Sequence, residues 1–329
     1  MNRNVLSVLR EPGGNSDLVL SRIDGEIDGE IKSGELTGAV SKKHYPIINF
    51  IPRFVSDDGY NTSFGKQWHR YSRTQIDRYN GTKLSHDRFY SSTGWKTRSL
   101  DGLKILEVGC GAGRFTEVLL EEGADVYSVD YSSAVDVCYK NHGSHPNWFI
   151  AQADIYALPF QTDYFDRIIC YGVLQHTPDP KKAFLSLIPF LRPGGEVAID
   201  LYRQSFGMNR WTSKYWYRFM TKRMPMDKLL NLVEWYVPRW LPIDTVISRI
   251  PVLRTIIPGF VPCWNYTGVL PLNKEQIVEW AKLDTFDALS PWYDKPQTIS
   301  GVKEWFEKAG LRKINVRAGG NGILANGTK

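Results

Sequence analysis

The chain contains no Cys-x-x-Cys pair, and its four cysteines, Cys110, Cys138, Cys170 and Cys263, stand far apart. That spacing excludes a disulfide framework and a cysteine-ligated zinc, so no metal site is expected. No apolar run reaches the roughly 18 residues of a membrane span, and residues 1–20 lack the apolar core of about 7–15 residues that marks a secretory signal. A cytoplasmic, reducing location is the expectation. Internal repeats and low-complexity tracts are missing too, which leaves an ordinary globular chain. Charge of one sign is in only mild excess: 41 Lys/Arg against 35 Asp/Glu, a net +6, permits an anionic partner without requiring one.

At 329 residues the chain suits one main domain with additions, or two domains. Its texture changes at four places. Residues 1–55 are polar and glycine-rich, residues 56–100 carry aromatics among charges, and residues 101–202 alternate strand-like and helix-like runs. Residues 203–272 are aromatic and basic, and 273–329 read as two helices and a closing hairpin. In the alternating part, strands are expected at 103–108, 125–130, 148–151, 165–171 and 196–201, with helices beginning at Phe115 and spanning 134–141 and 180–191. This rhythm predicts an α/β fold, a Rossmann-like doubly wound sheet that is mostly parallel. Ligands of such sheets bind beyond the carboxyl ends of the strands.

The glycines of LEVGCGAGRF, 106–115, follow the first of these strands. A phosphate-binding loop needs Gly-Lys-Ser/Thr at its end, where Gly113-Arg114-Phe115 stands, so that loop is excluded. A dinucleotide fingerprint needs glycine at position 114, which is arginine. A ligand with a ribose and a positive centre but no phosphate fits Gly109, Gly111 and Gly113, with Glu107 before them and Asp130 ending the next strand.

Glu107-Val-Gly-Cys-Gly-Ala-Gly resembles the first motif of the class I S-adenosylmethionine-dependent methyltransferases of type 11. Asp130, ADIYALPF (153–160), FDRIICYGVLQHTPDP (165–180) and LRPGGEVAI (191–199) extend the resemblance. It implies S-adenosyl-L-methionine as cofactor and a last strand running antiparallel. It also implies that Glu107, Gly109, Cys110, Gly111 and Gly113 form the cofactor turn, and that Asp130, with Tyr131 beside it, holds the ribose. Asp154 and Ile155 would meet the adenine, and Tyr171 would end the fourth strand at the cofactor. Residues 56–100 would be a helical lid, in which Phe64, Trp68 and Tyr71 share the face of one helix over 64–77 and Trp68 and Gln75 touch the cofactor. Residues 1–55 resemble a zinc-ribbon segment without its cysteines, held by Tyr45, Ile47, Ile48, Ile51 and Phe54.

Methyl transfer to oxygen needs alignment and removal of one proton. His176 is the candidate base, and Gln175, Tyr202, Trp292 and Tyr293 are candidate acceptor contacts. Residues 203–272 form an expected acceptor cap: between Asp200 and Leu270, ten Lys/Arg face four Asp/Glu, interleaved with Trp211, Trp216, Trp235, Trp240 and Trp264. That mixture suits a glycan, a glycolipid, a peripheral membrane contact or nucleic acid, and equally a cap with solvated charges. SPWYDKPQ (290–297) resembles segments of methyltransferases for sugar and polysaccharide modification. The reading is therefore O-methylation of a sugar, glycolipid or other hydroxylated small molecule, in polysaccharide or secondary metabolite biosynthesis. An RNA methyltransferase and a cofactor-binding partner without turnover stay open. Cys170-Tyr171-Gly172-Val173 replaces the Asn/Asp-Pro-Pro-Tyr/Phe run expected for base amino groups.

Overall fold

The computed structural model describes residues 1–56, 62–95, 100–204, 213–250 and 260–329; Trp211 lies outside them. Strands β1 (Leu18–Ile27), β2 (Glu30–Gly38), β3 (His44–Ile48) and β4 (Ile51–Pro52) form an antiparallel sheet in chain order. Alternation in β3 turns Tyr45 and Ile47 inward and leaves Ile48 exposed, so Ile48 does not join the core as expected. Ile31, Leu36, Tyr45 and Ile47 share one apolar cluster with Phe165 of the main sheet and Phe160 of the loop before it. The N-terminal sheet is thus packed onto the domain that follows it.

The main sheet holds β5 (Lys104–Val108), β6 (Asp125–Asp130), β7 (Trp148–Gln152), β8 (Phe165–Tyr171), β9 (Leu191–Tyr202), β10 (Arg312–Gly319) and β11 (Gly322–Thr328). Their spatial order among the described residues is β10-β11-β9-β8-β5-β6-β7. The strands from β5 to β9 pair in parallel, and β11 runs antiparallel to both β9 and β10. The order reverses between β5 and β8, which opens the crevice where such sheets take ligands. Helices α4 (Arg114–Glu121) and α5 (Ala134–His142) follow β5 and β6.

Two helices differ from expectation. The segment 180–191 is helical only in α6 (Pro180–Leu185); a 3-10 turn, Ile188–Phe190, contains Pro189, which has no N–H to continue a ladder. Leu191 already pairs with Phe165, so β9 begins well before residue 196. The lid likewise divides into α1 (Thr62–Arg70), α2 (Asp77–Asn80) and α3 (Leu84–Thr93). The Ser72 carbonyl accepts from the Asn141 amide instead of continuing a helix, and Tyr71 leaves the Phe64–Trp68 face to donate to Glu234 Oε1 at 2.9 Å.

The cap consists of α7 (Ser213–Thr221), α8 (Met226–Ile247) and α9 (Lys274–Leu289); α10 (Ile299–Lys308) covers the closing hairpin. A capping box of Asn273 and Gln276 starts α9. Leu229, Val233, Val237 and Leu241 of α8 pack on Ile277, Ala281, Phe286 and Leu289 of α9. The expected boundary at 272/273 therefore runs through a single packed unit. Arg218 fastens α7 to it, donating to the carbonyls of Ala288 at 3.0 Å and Pro291 at 2.7 Å. Replacing Arg218 by Met leaves both buried carbonyls unpaired and should destabilise the protein by about 2–4 kcal/mol; urea unfolding of the two proteins checks this.

Candidate functional site

The turn after β5 is built on close approach. Gly109, Gly111 and Gly113 have φ of 80°, 54° and 95°, the left-handed region that other residues enter at a cost. A Cβ on Gly109 would lie 2.1 Å from Val173 Cγ2, one on Gly111 2.9 Å from the Trp68 indole, and one on Gly113 2.2 Å from His142 Nε2. Side chains of three separate segments thus close on the turn, and Trp68 brings α1 over it.

Asp130 ends β6 beside this turn. Its Oδ2 accepts from the Gly111 N–H at 3.0 Å, and its Oδ1 accepts from the Ser132 N–H at 2.9 Å and hydroxyl at 2.7 Å. Burial raises its pKa, while these donors favour the carboxylate. Glu107 lies behind the turn, where Thr116 and Ser128 hydroxyls donate to Oε2 at 2.5 and 2.8 Å. Burial pushes its carboxyl up to about 7.

A cavity of about 780 Å³ opens above the turn at the carboxyl ends of β5, β6 and β8. Ligand pockets commonly measure about 300–1,000 Å³, so this one has room for a cofactor and an acceptor together. Gly109, Cys110, Gly111, Asp130, Tyr131, Ile155, Tyr171, Trp68, Gln75, His176 and Tyr202 all line it.

The other candidates do not line the cavity. Glu107 sits behind the turn, and Gly113 ends it facing His142. Asp154 accepts from the Tyr156 N–H at 3.0 Å and thereby shapes the 153–160 loop. Gln175 is buried, and its carbonyl receives the Lys295 N–H at 2.9 Å. Trp292 is exposed on the cap surface beneath Lys222, 5.3 Å from the ring centre. Tyr293 acts through its backbone, because its carbonyl accepts from His176 Nδ1 at 2.9 Å.

That last bond fixes a tautomer. A carbonyl only accepts, so Nδ1 carries the proton and Nε2 keeps its lone pair. Burial lowers the His176 pKa, which keeps the ring neutral, and Phe64 and Tyr202 hold it at centroid distances of 5.1 and 5.4 Å.

The far side of the cavity comes from the cap, which was expected over 203–272 as the acceptor side, but the α9 residues that build most of this wall were not among the candidates. Trp280, Asp284 and Asp287 project from α9 at helical spacing, joined by Trp264, Tyr266 and Lys214. Asp284 accepts from the Tyr266 hydroxyl and from Trp280 Nε1, and burial raises its pKa to about 6. Asp287 accepts from the Tyr202 hydroxyl at 3.0 Å and from Gln67 at 3.3 Å. The spacing of 280, 284 and 287 on one face was the available signal for this wall. Arg114, adjacent to the last glycine in sequence, also enters the wall, stacked 5.5 Å from the Trp280 ring.

Residues 106–199 match a family described as methyltransferase domain. Over that stretch the core is similar to a methyltransferase domain. The residues at the turn fit the S-adenosylmethionine that the sequence resemblance implies: a positive-φ glycine turn, a carboxylate at the end of β6 and an apolar wall at Ala153 and Ile155. The chain is 33% identical over 110 residues to a ubiquinone biosynthesis O-methyltransferase of Coxiella burnetii (strain Dugway 5J108-111), covering 33% of this chain and 47% of that protein. It is 31% identical over 136 residues to one of Pseudomonas entomophila (strain L48), covering 37% and 54%. The chain thus spans about half the length of the curated relatives it matches. Human N-acetylserotonin methyltransferase in complex with SAM aligns with a TM-score of 0.46 at 12% identity, over 84% of this chain and 60% of that one.

The methyltransferase turn tolerates no side chain at its first glycine. Gly109→Ala combines an unfavourable φ with a clash at Val173 and should cost about 2–4 kcal/mol, read as a fall in the urea midpoint.

Proposed function

We propose that this chain is an S-adenosylmethionine-dependent O-methyltransferase acting on a hydroxylated small molecule, with a sugar or glycolipid as the leading acceptor class. One observation carries the reading: a single cavity runs from the glycine turn and Asp130 to the aromatic and acidic wall of the cap, with His176 in its lining. The relatives named as O-methyltransferases support oxygen as the acceptor atom.

When bound, the cofactor supplies a methyl group already activated on a sulfonium. Asp130 accepts from the ribose hydroxyls, and Ile155 with Ala153 gives the adenine an apolar surface. Trp68, closed over Gly111, keeps water from the methionine end. His176 Nε2 takes the proton from the acceptor hydroxyl while Nδ1 stays bonded to the Tyr293 carbonyl. In the cap, the rings of Trp264, Tyr266 and Trp280 offer stacking faces, and Asp284 and Asp287 offer acceptors to hydroxyl groups. That pairing of rings with carboxylates suits a polyhydroxylated ligand. We place its work in the cytoplasm, with the cap meeting a membrane from which a lipid-linked acceptor is drawn.

Asp130→Ala should lower affinity for S-adenosylhomocysteine by about tenfold or more, the loss of two charge-assisted hydrogen bonds; titration calorimetry measures it, and unchanged affinity would refute the ribose role. His176→Ala should lower kcat by about 10²–10⁴-fold with cofactor affinity kept. Because burial lowers the His176 pKa, its neutral, basic form persists below the ordinary value of 6.5, so the acid limb of kcat should fall at lower pH than 6.5. Turnover by His176→Ala close to that of the parent would remove His176 as the base.

A further inference from the structure

Helix α8 is apolar on two opposite sides. Leu229, Val233, Val237 and Leu241 enter the cap core, whereas Leu232, Trp235, Ile243 and Val246 are exposed along the opposite face. A helix apolar all round normally has partners on both sides, and here α9 supplies one. On α7, Trp216, Phe219 and Met220 recur at helical spacing and are also exposed, Phe219 to 71%. Trp216 meets exposed Phe260 edge-on at 5.6 Å, and the Tyr236 hydroxyl of α8 donates to the nearby Pro262 carbonyl, so residues 260–262 link the two helices. Three outward rings each carry a cation: Arg223 over Phe219 at 5.0 Å, Arg239 over Trp235 at 5.0 Å and Lys222 over Trp292 at 5.3 Å. No helix among the described residues is long and apolar enough to cross a membrane.

We propose that α7 and α8 form a docking face for an anionic lipid bilayer, with Phe219 and Trp235 entering the headgroup boundary and Arg223, Arg239 and Lys222 meeting lipid phosphates. Aromatic rings topped by cations match the boundary between acyl chains and anionic headgroups. The charge argues against a second copy as the occupant, since a two-fold contact would set this positive face against itself. Lys214 and Tyr215 of the same α7 line the cavity, so the docked face adjoins the acceptor wall. The proposal deepens the reading of a membrane-drawn acceptor and rests on it only for its purpose, not for the binding itself.

Flotation of the full chain with vesicles of phosphatidylcholine alone, and of equimolar phosphatidylcholine and phosphatidylglycerol, tests it. The protein should float with the phosphatidylglycerol vesicles, far less with phosphatidylcholine, and less again at about 0.5 M salt. Phe219→Ser combined with Trp235→Ser should weaken this partitioning by about tenfold or more, with S-adenosylhomocysteine affinity unchanged as the control for folding. If that control fails, Arg223→Glu with Arg239→Glu serves as the second variant and should abolish the preference for the anionic vesicles. No flotation with phosphatidylglycerol vesicles overturns the proposal, as does equal flotation of a folded variant and parent. A parent dimer by light scattering that Phe219→Ser with Trp235→Ser dissociates would assign the face to a second copy and overturn it too. Flotation needs no methyl transfer, so a failed transfer assay sinks the proposed function and leaves this result standing.

Discussion

Val173, Trp68 and His142 press on the turn between β5 and α4 from three directions, and the turn accepts them only because Gly109, Gly111 and Gly113 carry no side chains. Each contact comes from a different part of the chain: the loop after β8, the lid and the end of α5. Close packing at this point therefore sets the crevice wall, seats the lid and positions α5 against α4 together. Asp130 depends on the same turn, because the Gly111 N–H orients one of its oxygens. A relaxed turn would lose the lid contact and the carboxylate geometry in one step.

The cap is joined to the rest of the molecule differently. It has its own apolar core between α8 and α9, and the lid meets it through polar pairs: Tyr71 with Glu234, Thr74 with Glu279 and Gln67 with Asp287. Hydrogen bonds to carboxylates, as these are, hold an orientation at a net free energy of about 1.5–3 kcal/mol each. Cap and lid consequently form one assembly above the turn, fastened by polar bonds whose lid donors, Gln67, Tyr71 and Thr74, are buried. The cavity lies at that seam, which suits a site that must admit an acceptor and then exclude solvent.

Within the cavity the two ends differ in chemistry. The β6 end offers one carboxylate and apolar surface, and the cap end combines Trp264, Tyr266 and Trp280 with Asp284 and Asp287. The basic residues that make the insert cationic in composition are found in part on its outer face, with Arg223 and Arg239 over exposed rings. Net charge permitted an anionic partner without requiring one; in the fold part of that charge lies over outward rings, while the cavity mixes Arg114 and Lys214 with Asp284 and Asp287.

Much of the core was legible from residues 101–202, since alternating apolar runs and glycine stops give strands and helices by local physics. The antiparallel hairpin at the C-terminus was legible for the same reason. The early start of β9 was not, because Leu191 becomes a strand residue only by pairing with Phe165. The break in the lid was hidden too, since it depends on Asn141, distant in sequence, reaching the Ser72 carbonyl. Of the site, the sequence by itself determined the glycine turn, Asp130 and His176, whose residue types and order after strands are local facts. Tertiary structure alone decided that Glu107 faces inward to two hydroxyls, that Tyr293 contributes a carbonyl instead of its ring, and that α9 supplies the opposite wall. Those outcomes depend on which long-range partner each group meets, and sequence spacing carries no such information.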